Sequence, residues 1–358
     1  MNLKTIHIDI NKPIRTDKKY KVLSLFAGCG GMDLGFQGGF TIFGEHYSRN
    51  NFDIVYANEI EKKATETYEY NFNHEPICAD IRDIDETELP QVDIVIGGFP
   101  CQDFSMAGKR RGLDSERGKL YLEMKRVIKE IRPKMFVAEN VDGIRKSKMG
   151  EDTSALDIIL EDFREMNYTV QYKLLNAADY GVPQARKRVI IIGKRNDIAG
   201  DILYPEPVRG EGKDTPYRTA KEGIDDLWDK IDTGIPNHTL KDYSKAKFYP
   251  GKKMQGNNKI DAERPSCTIR AEHHGNIEAH YRSKEGYSNE DVQGWRRLSV
   301  RECARLQSFP DDFIFPVTAT HAYRQIGNAV PPILGWYIAN AIYCSLTSDY
   351  EEYLYGIK

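Results

Sequence analysis

Cys101 lies in Gly97-Gly98-Phe99-Pro100-Cys101-Gln102-Asp103-Phe104-Ser105, directly after the apolar run Val92-Asp93-Ile94-Val95-Ile96. The run reads as a buried parallel strand, and two glycines and a proline end it in a sharp turn. The thiol is thereby presented in a loop at the carboxyl end of a strand, where ligands of open α/β sheets collect. A free cysteine is commonly a buried structural thiol. The polar neighbours Gln102, Asp103 and Ser105 and the strand-end position favour a nucleophile instead. Acids stand at three more strand ends: Glu59, Asp80 and Glu139. A carboxylate at the second strand of a dinucleotide-binding fold accepts from ribose hydroxyls. Glu59 fits that role, with a helix N-terminal charge as the competing reading, and Asp80 is placed to accept from an adenine amino group.

These groups need a sheet to hold them. Tyr20–Phe26 reads as a strand running into Ala27-Gly28-Cys29-Gly30-Gly31, and Met32, Leu34 and Phe36 open a helix. Strand, glycine turn and helix make the first unit of a nucleotide-binding sheet. The spacing is G-x-G-G, a poor pyrophosphate cradle, so these glycines suit a ligand without phosphates; a purely structural turn is the alternative. Further strands are expected at Asp53–Ala57, Ile77–Ile81, Met135–Ala138, Val170–Leu174 and Val189–Ile192, with helices at Lys62–Phe72, Leu120–Ile131 and Ala155–Met166. Residues 102–118 read as a long functional loop. Residues 1–19 are polar and aperiodic and read as an extended arm or frayed terminus. The pattern predicts a doubly wound, mostly parallel α/β sheet with a smaller, irregular second domain.

From Asn196 the texture changes, with Gly, Pro, Lys, Asn and His frequent up to about residue 295. Helical pattern returns at Ser299–Gln307 and Ile333–Leu346, the latter apolar enough to pack on the first domain. The expected division is 1–195 plus 315–358 as a first domain and 196–314 as a second, smaller one with a hinge.

Composition narrows the classes. The chain has 358 residues, 40% hydrophobic and 29% charged, as in globular proteins. No signal-peptide pattern opens it, and no apolar run is expected to reach the length of a membrane span. Its six cysteines are scattered without a C-x-x-C pair, which disfavours a zinc site or a disulfide framework and fits a reducing cytoplasm. A net charge of −3 means that any nucleic-acid binding must use local basic clusters. Lys109-Arg110-Arg111 with Arg117, and Arg186-Lys187-Arg188 with Lys194-Arg195, are candidates, against the default of a solvated charged face.

In order along nearly the whole chain, several segments resemble the DNA (cytosine-5)-methyltransferases of bacterial restriction–modification systems. They are Phe26-Ala27-Gly28-Cys29-Gly30-Gly31, Asn58-Glu59, Asp80-Ile81, Gly98-Phe99-Pro100-Cys101-Gln102 and Arg117-Gly118-Lys119-Leu120. Glu139-Asn140-Val141, Gln184-Ala185-Arg186-Lys187-Arg188, Arg297-Leu298-Ser299-Val300-Arg301-Glu302 and Gln325-Ile326-Gly327-Asn328-Ala329-Val330-Pro331 continue the series.

The resemblance implies an S-adenosylmethionine-dependent methyltransferase fold and transfer of a methyl group to C5 of a cytosine flipped out of a specific duplex DNA sequence. Cys101 would add to C6, and Glu139, protonated in a closed, dry pocket, would assist at N3. Arg186 and Arg188 would supply positive charge that favours the thiolate. S-adenosylmethionine, leaving as S-adenosylhomocysteine, would meet Phe26, Ala27, Gly28, Cys29, Gly30, Gly31, Glu59, Ile60, Asp80, Ile81, Pro100, Leu120, Asn328 and Ala329. Ser105 and Arg117 would approach the sugar-phosphate of the flipped base. Thr268-Ile269 resembles the Thr-Leu core of the family's target-reading region, with Thr268 and Arg270 as DNA contacts. Lys252, Lys253, Arg264, His273 and His274 are further candidates. No metal is expected. The setting implied is a bacterial cytoplasm, a monomer without a membrane, and possible company of a separate cognate restriction endonuclease. A tRNA cytosine-5 methyltransferase of the same architecture is the competing reading. The hundred-odd residues (roughly) between Arg195 and Arg297 favour DNA by supplying a separate reading module.

Overall fold

The computed structural model describes residues 3–12, 18–99, 120–147, 153–242, 258–271, 280–282 and 296–347. Seven strands form the main sheet: β1 (Tyr20–Leu25), β2 (Phe52–Glu59), β3 (Ile77–Cys78), β4 (Ile94–Gly97), β5 (Met135–Val141), β6 (Tyr168–Asn176) and β7 (Lys187–Arg195). Their spatial order is β3-β2-β1-β4-β5-β7-β6. Neighbours run parallel except at β7, which is antiparallel to both β5 and β6. The sheet is therefore doubly wound and mostly parallel, as the alternating pattern predicts.

Alternation along each strand divides the core in two. Val22, Ile94, Ile96, Val137, Ile190 and Ile192 face α1 (Gly31–Gln37) and the C-terminal helix. Leu23, Leu25, Val95, Phe136, Val189 and Ile191 face α3 (Leu120–Ile131) and α4 (Ala155–Arg164), which contribute Met124, Val127, Ile128, Ile159 and Phe163. The strands stand between these two helix layers; between α1 and α3 in sequence comes α2 (Lys62–Asn71). Ser154 starts α4 with a capping box closed by Asp157, so that helix has its own N-terminal stop.

Among the described residues, three α-helices follow β7 before the terminal one: α5 (Ala220–Ile224), α6 (Val300–Leu306) and α7 (Ala319–Asn328). A third apolar cluster joins them to α2 through Tyr68, Phe72, Ile224, Ala304, Phe309, Phe313 and Ile326. The last helix, α8 (Pro332–Leu346), is buried along almost its whole length. Ala319–Leu346 is long and apolar enough to pass for a membrane span, contrary to the expectation from sequence. Its most apolar window is 89% buried inside the protein, and it is two helices parted at Ala329-Val330-Pro331, so here it is core.

The N-terminal arm is also more ordered than its polarity suggests. Lys4–Ile6 pairs in parallel with Leu203–Pro205, and Ile6 and Ile8 are buried in the first cluster. Their alternation with Thr5 and His7 is a short strand signal that a search for longer apolar runs overlooks.

Candidate active site

Glu139 lies near the end of β5, two residues before Val141, toward the carboxyl edge of the sheet. The register sets Gly97 opposite Ala138 on one side and Ile190 opposite Glu139 on the other. Glu139 is 8% exposed, and Arg188 Nε lies 2.7 Å from its Oε1. The N–H is not aligned on that oxygen, and Oε1 is buried without a hydrogen-bond donor. The ion pair thus holds the carboxyl in place while leaving directional capacity for a ligand. A Cβ at Gly98 would stand 2.9 Å from Glu139 Oε2, so the chain leaves β4 close against the acid. Asn140 Nδ2 donates to Phe99 O at 3.1 Å and fixes the same exit. The chain leading to Cys101 therefore starts beside Glu139. Pro100, Cys101, Ser105 and Arg117 themselves lie outside the described residues.

Arg188 is nearly as buried as its partner, and burial lowers its pKa against the pull of Glu139. Arg186 is placed differently from a group aimed at a thiol. It is fully buried, with Nη1 donating to Ile269 O (3.0 Å) and Nη2 to Gly327 O (2.8 Å) and Ala329 O (2.9 Å). Three carbonyl dipoles in two distant segments satisfy most of its donors. Gln184, also fully buried, accepts from Ile269 N and donates to Leu306 O and Gln307 Oε1. These two side chains pin residues 266–271 and 327–329 to the start of β7. Thr268 Oγ1 donates to Ala185 O at 2.8 Å, which engages the hydroxyl expected to meet DNA, while Arg270 is exposed.

The glycine turn after β1 is built on left-handed backbone. Phe26, Gly28 and Gly30 have φ of 53°, 58° and 89°. Gly30 needs its missing Cβ twice over, since one would also overlap the Phe72 ring. At Gly28 a Cβ would meet nothing within 4 Å, so this side of the turn borders open space. Glu59 Oε2 accepts from Gly28 N at 2.8 Å and its Oε1 from Glu61 N at 2.9 Å, while burial raises its pKa. Ile60 is 60% exposed beside it. Phe26 and Leu120 are partly buried against the second cluster, and Cys29 is buried with its thiol pKa pushed up by desolvation. Ala27 donates its N–H to Asn58 O, and a Cβ at Gly31 would overlap Val330 O. The C-terminal segment with exposed Asn328 and half-buried Ala329 therefore returns to this turn.

Two expected cofactor contacts have other partners. Asp80 is held by Arg82, whose backbone N–H and guanidinium both donate to it and lower its pKa. The Ile81 side chain is buried in the second cluster, which leaves only its backbone for a ligand. Asp33 was not among the sequence candidates. It is buried in the first turn of α1, and burial pushes its carboxyl pKa up to about 6. Its polarity at an inward helix position is the signal that could have singled it out.

Residues 20–344 match the model of the C-5 cytosine-specific DNA methylase family. The chain is 38% identical over 357 residues to the type II methyltransferase M.FnuDI of Fusobacterium nucleatum, covering 91% of this chain and 95% of that one. It is 39% identical over 364 residues to the type II methyltransferase M.BsuRI of Bacillus subtilis, covering 92% and 80%. The solved structure of the Entamoeba histolytica methyltransferase EhMeth matches with a TM-score of 0.66 at 15% identity, over 93% of this chain and all of that one, a likeness of fold. With that sheet order and that strand-end acid, the chain belongs to the C-5 cytosine-specific DNA methylases, enzymes that methylate DNA cytosine at C5. Use of S-adenosylmethionine follows from the family.

Proposed function

We propose that this chain methylates C5 of a cytosine flipped out of duplex DNA, through a covalent bond between Cys101 and C6, with Glu139 assisting at N3. C5 of cytosine is a poor nucleophile. Addition of a thiolate at C6 makes the ring an enamine, and C5 can then attack. The electron pair displaced toward N3 must be met by a proton, and Glu139 is the acid at hand. The observation that carries the reading is its buried carboxyl, held by Arg188 and touching the chain that leaves β4 for Cys101. Arg188 orients Glu139, and Arg186 acts through positioning of residues 269 and 327–329. After methyl transfer, loss of the C5 proton and elimination of the thiolate release the base.

The residues at the glycine turn fit the methyl donor: an open side at Gly28, an acid at the second strand end and an exposed isoleucine beside it. S-adenosylmethionine supplies an electrophilic methyl sulfonium when bound. Glu59 would take the ribose hydroxyls, Ile60 the adenine face, and Asp80 with the Ile81 backbone the adenine edge. Phe26, the 28–31 turn, Pro100, Leu120, Asn328 and Ala329 would line the remainder. Flipping the base costs a few kcal/mol of unstacking and unpairing. Ser105, Arg117, Thr268 and Arg270 are proposed DNA contacts, as is the exposed Arg264; Lys252, Lys253, His273 and His274 lie outside the described residues.

For domains, we take 1–205 with 315–358 as the catalytic part and 206–314 as the target-reading part and hinge; the first boundary lies past Pro205, not at 195, because Ile202, Leu203 and Tyr204 are in the first core. The setting we infer is a monomer in a bacterial cytoplasm, acting beside a separate cognate endonuclease. The test is methyl transfer from labelled S-adenosylmethionine to duplex DNA and to tRNA, followed by bisulfite mapping. Labelled cytosine in one DNA sequence context is expected, and absent from Cys101→Ala. Label in tRNA alone would overturn the reading.

A further inference from the structure

Asp33 has no part in the chemistry above, yet it is 1% exposed and carries a carboxyl group into the protein interior. Burial of that kind is costly unless donors meet the group. Ser24 Oγ donates to its Oδ2 at 3.0 Å, and Tyr68 OH donates to its Oδ1 at 2.9 Å. Ser24 is on β1, immediately before the glycine turn. Asp33 is on α1, immediately after it. Tyr68 comes from α2, where its ring stacks on Phe72 with centroids 4.2 Å apart. It is this ring pair that occupies the space behind Gly30, where a Cβ would overlap Phe72 and touch Tyr68.

We propose that Asp33 is a positioning residue for the methyl donor: its carboxyl group ties the two ends of the 26–31 turn to each other and to the ring pair beneath it. The turn contains three residues in left-handed conformation, one of them Phe26, which favours this geometry far less than glycine does. Main-chain bonds from Ala27 to Asn58 O and from Gly28 to Glu59 hold the turn's outer side. On its inner side the side-chain tie is Ser24–Asp33–Tyr68. Without it the turn relaxes, and binding of the donor must restore its shape. The inference rests on reading 26–31 as the cofactor turn.

The experiment measures KM for S-adenosylmethionine, kcat and the Kd for unmethylated duplex DNA in the full chain. Asp33→Ala should raise KM about tenfold, and Tyr68→Phe several-fold, through lost hydrogen bonds to a buried carboxylate. For both, kcat at saturating donor and DNA affinity should stay near the parent values. Asp33→Asn should return KM close to the parent's, because hydroxyls can exchange donor and acceptor roles with a carboxamide. Unchanged KM in Tyr68→Phe overturns the proposal, as does an Asp33→Asn that behaves like Asp33→Ala. If Asp33→Ala does not fold, the other two variants decide. Glu59→Gln separates the two readings: unchanged KM there ends the cofactor-site assignment, whereas raised KM there with unchanged KM in Tyr68→Phe ends only the tie.

Discussion

A carboxylate and a guanidinium that are each about one-tenth exposed make Glu139–Arg188 the most consequential pair in the molecule. Glu139→Gln keeps shape but loses the acid, so kcat should fall by about 10²- to 10⁴-fold with little change in fold, read by methyl-transfer kinetics. Arg188→Ala leaves a buried carboxylate unpaired, and denaturant melts should show a loss of about 3–5 kcal/mol. Asp33 gives a pH signature. Its carboxyl pKa is about 6 in the folded chain, raised by burial from the usual range near 4. The folded state binds the proton more tightly, so that contribution is full below about pH 4 and lost as pH rises through 6. Asp33→Asn has no such group, so its stability relative to the parent should rise by on the order of 2–3 kcal/mol between those values. A pH-independent difference would contradict the assignment. At this scale the strand-end placement of Glu139 and Glu59 was legible in the sequence, because acids after apolar runs mark strand ends. Arg186 read there as positive charge near the thiol, and its bonds to Ile269 O and Gly327 O, like those Asp80 accepts from Arg82, depend on folded neighbours.

Among elements, the end of α7 and the turn into α8 do the most joining. Gly327 packs against the backbone of Arg270 and Ala271, and Val330 O against Gly31. One short stretch thus touches both the proposed reading region and the cofactor turn. Gly327→Ala would force backbone against backbone and should weaken DNA affinity and stability together, measurable by titration and thermal melts. Preserved DNA affinity would mean that residues 266–271 do not depend on this contact. The strands and major helices were legible from β-branched runs and helical periodicity. The Lys4–Ile6 strand was not, because three residues give too short a period and its partner, Leu203–Pro205, is far away in sequence. Nor could periodicity show that β7 runs antiparallel, since direction follows from the short connection out of β6.

Over the whole molecule, α8 closes the chain onto its beginning. Trp336 is 1% exposed, donates Nε1–H to Ser48 O at 2.8 Å and meets Tyr47 edge-on at 5.4 Å. Trp336→Ala should cost about 3–5 kcal/mol in denaturant melts, because the first core cannot refill that volume. The apolar terminal pattern predicted such packing, and the length of Ala319–Leu346 shows why apolarity alone does not separate core from membrane. Net charge told less: at −3 it leaves DNA binding to local arrangement, which only folding creates.

The covalent step is tested most directly with duplex DNA carrying 5-fluorocytosine, where the C5 substituent cannot leave as a proton. With S-adenosylmethionine present, the chain should become irreversibly bound, with Cys101 as the attached residue in peptide mapping and no complex from Cys101→Ala. Methyl transfer to ordinary DNA without any trapped complex, or attachment through another residue, would contradict the account.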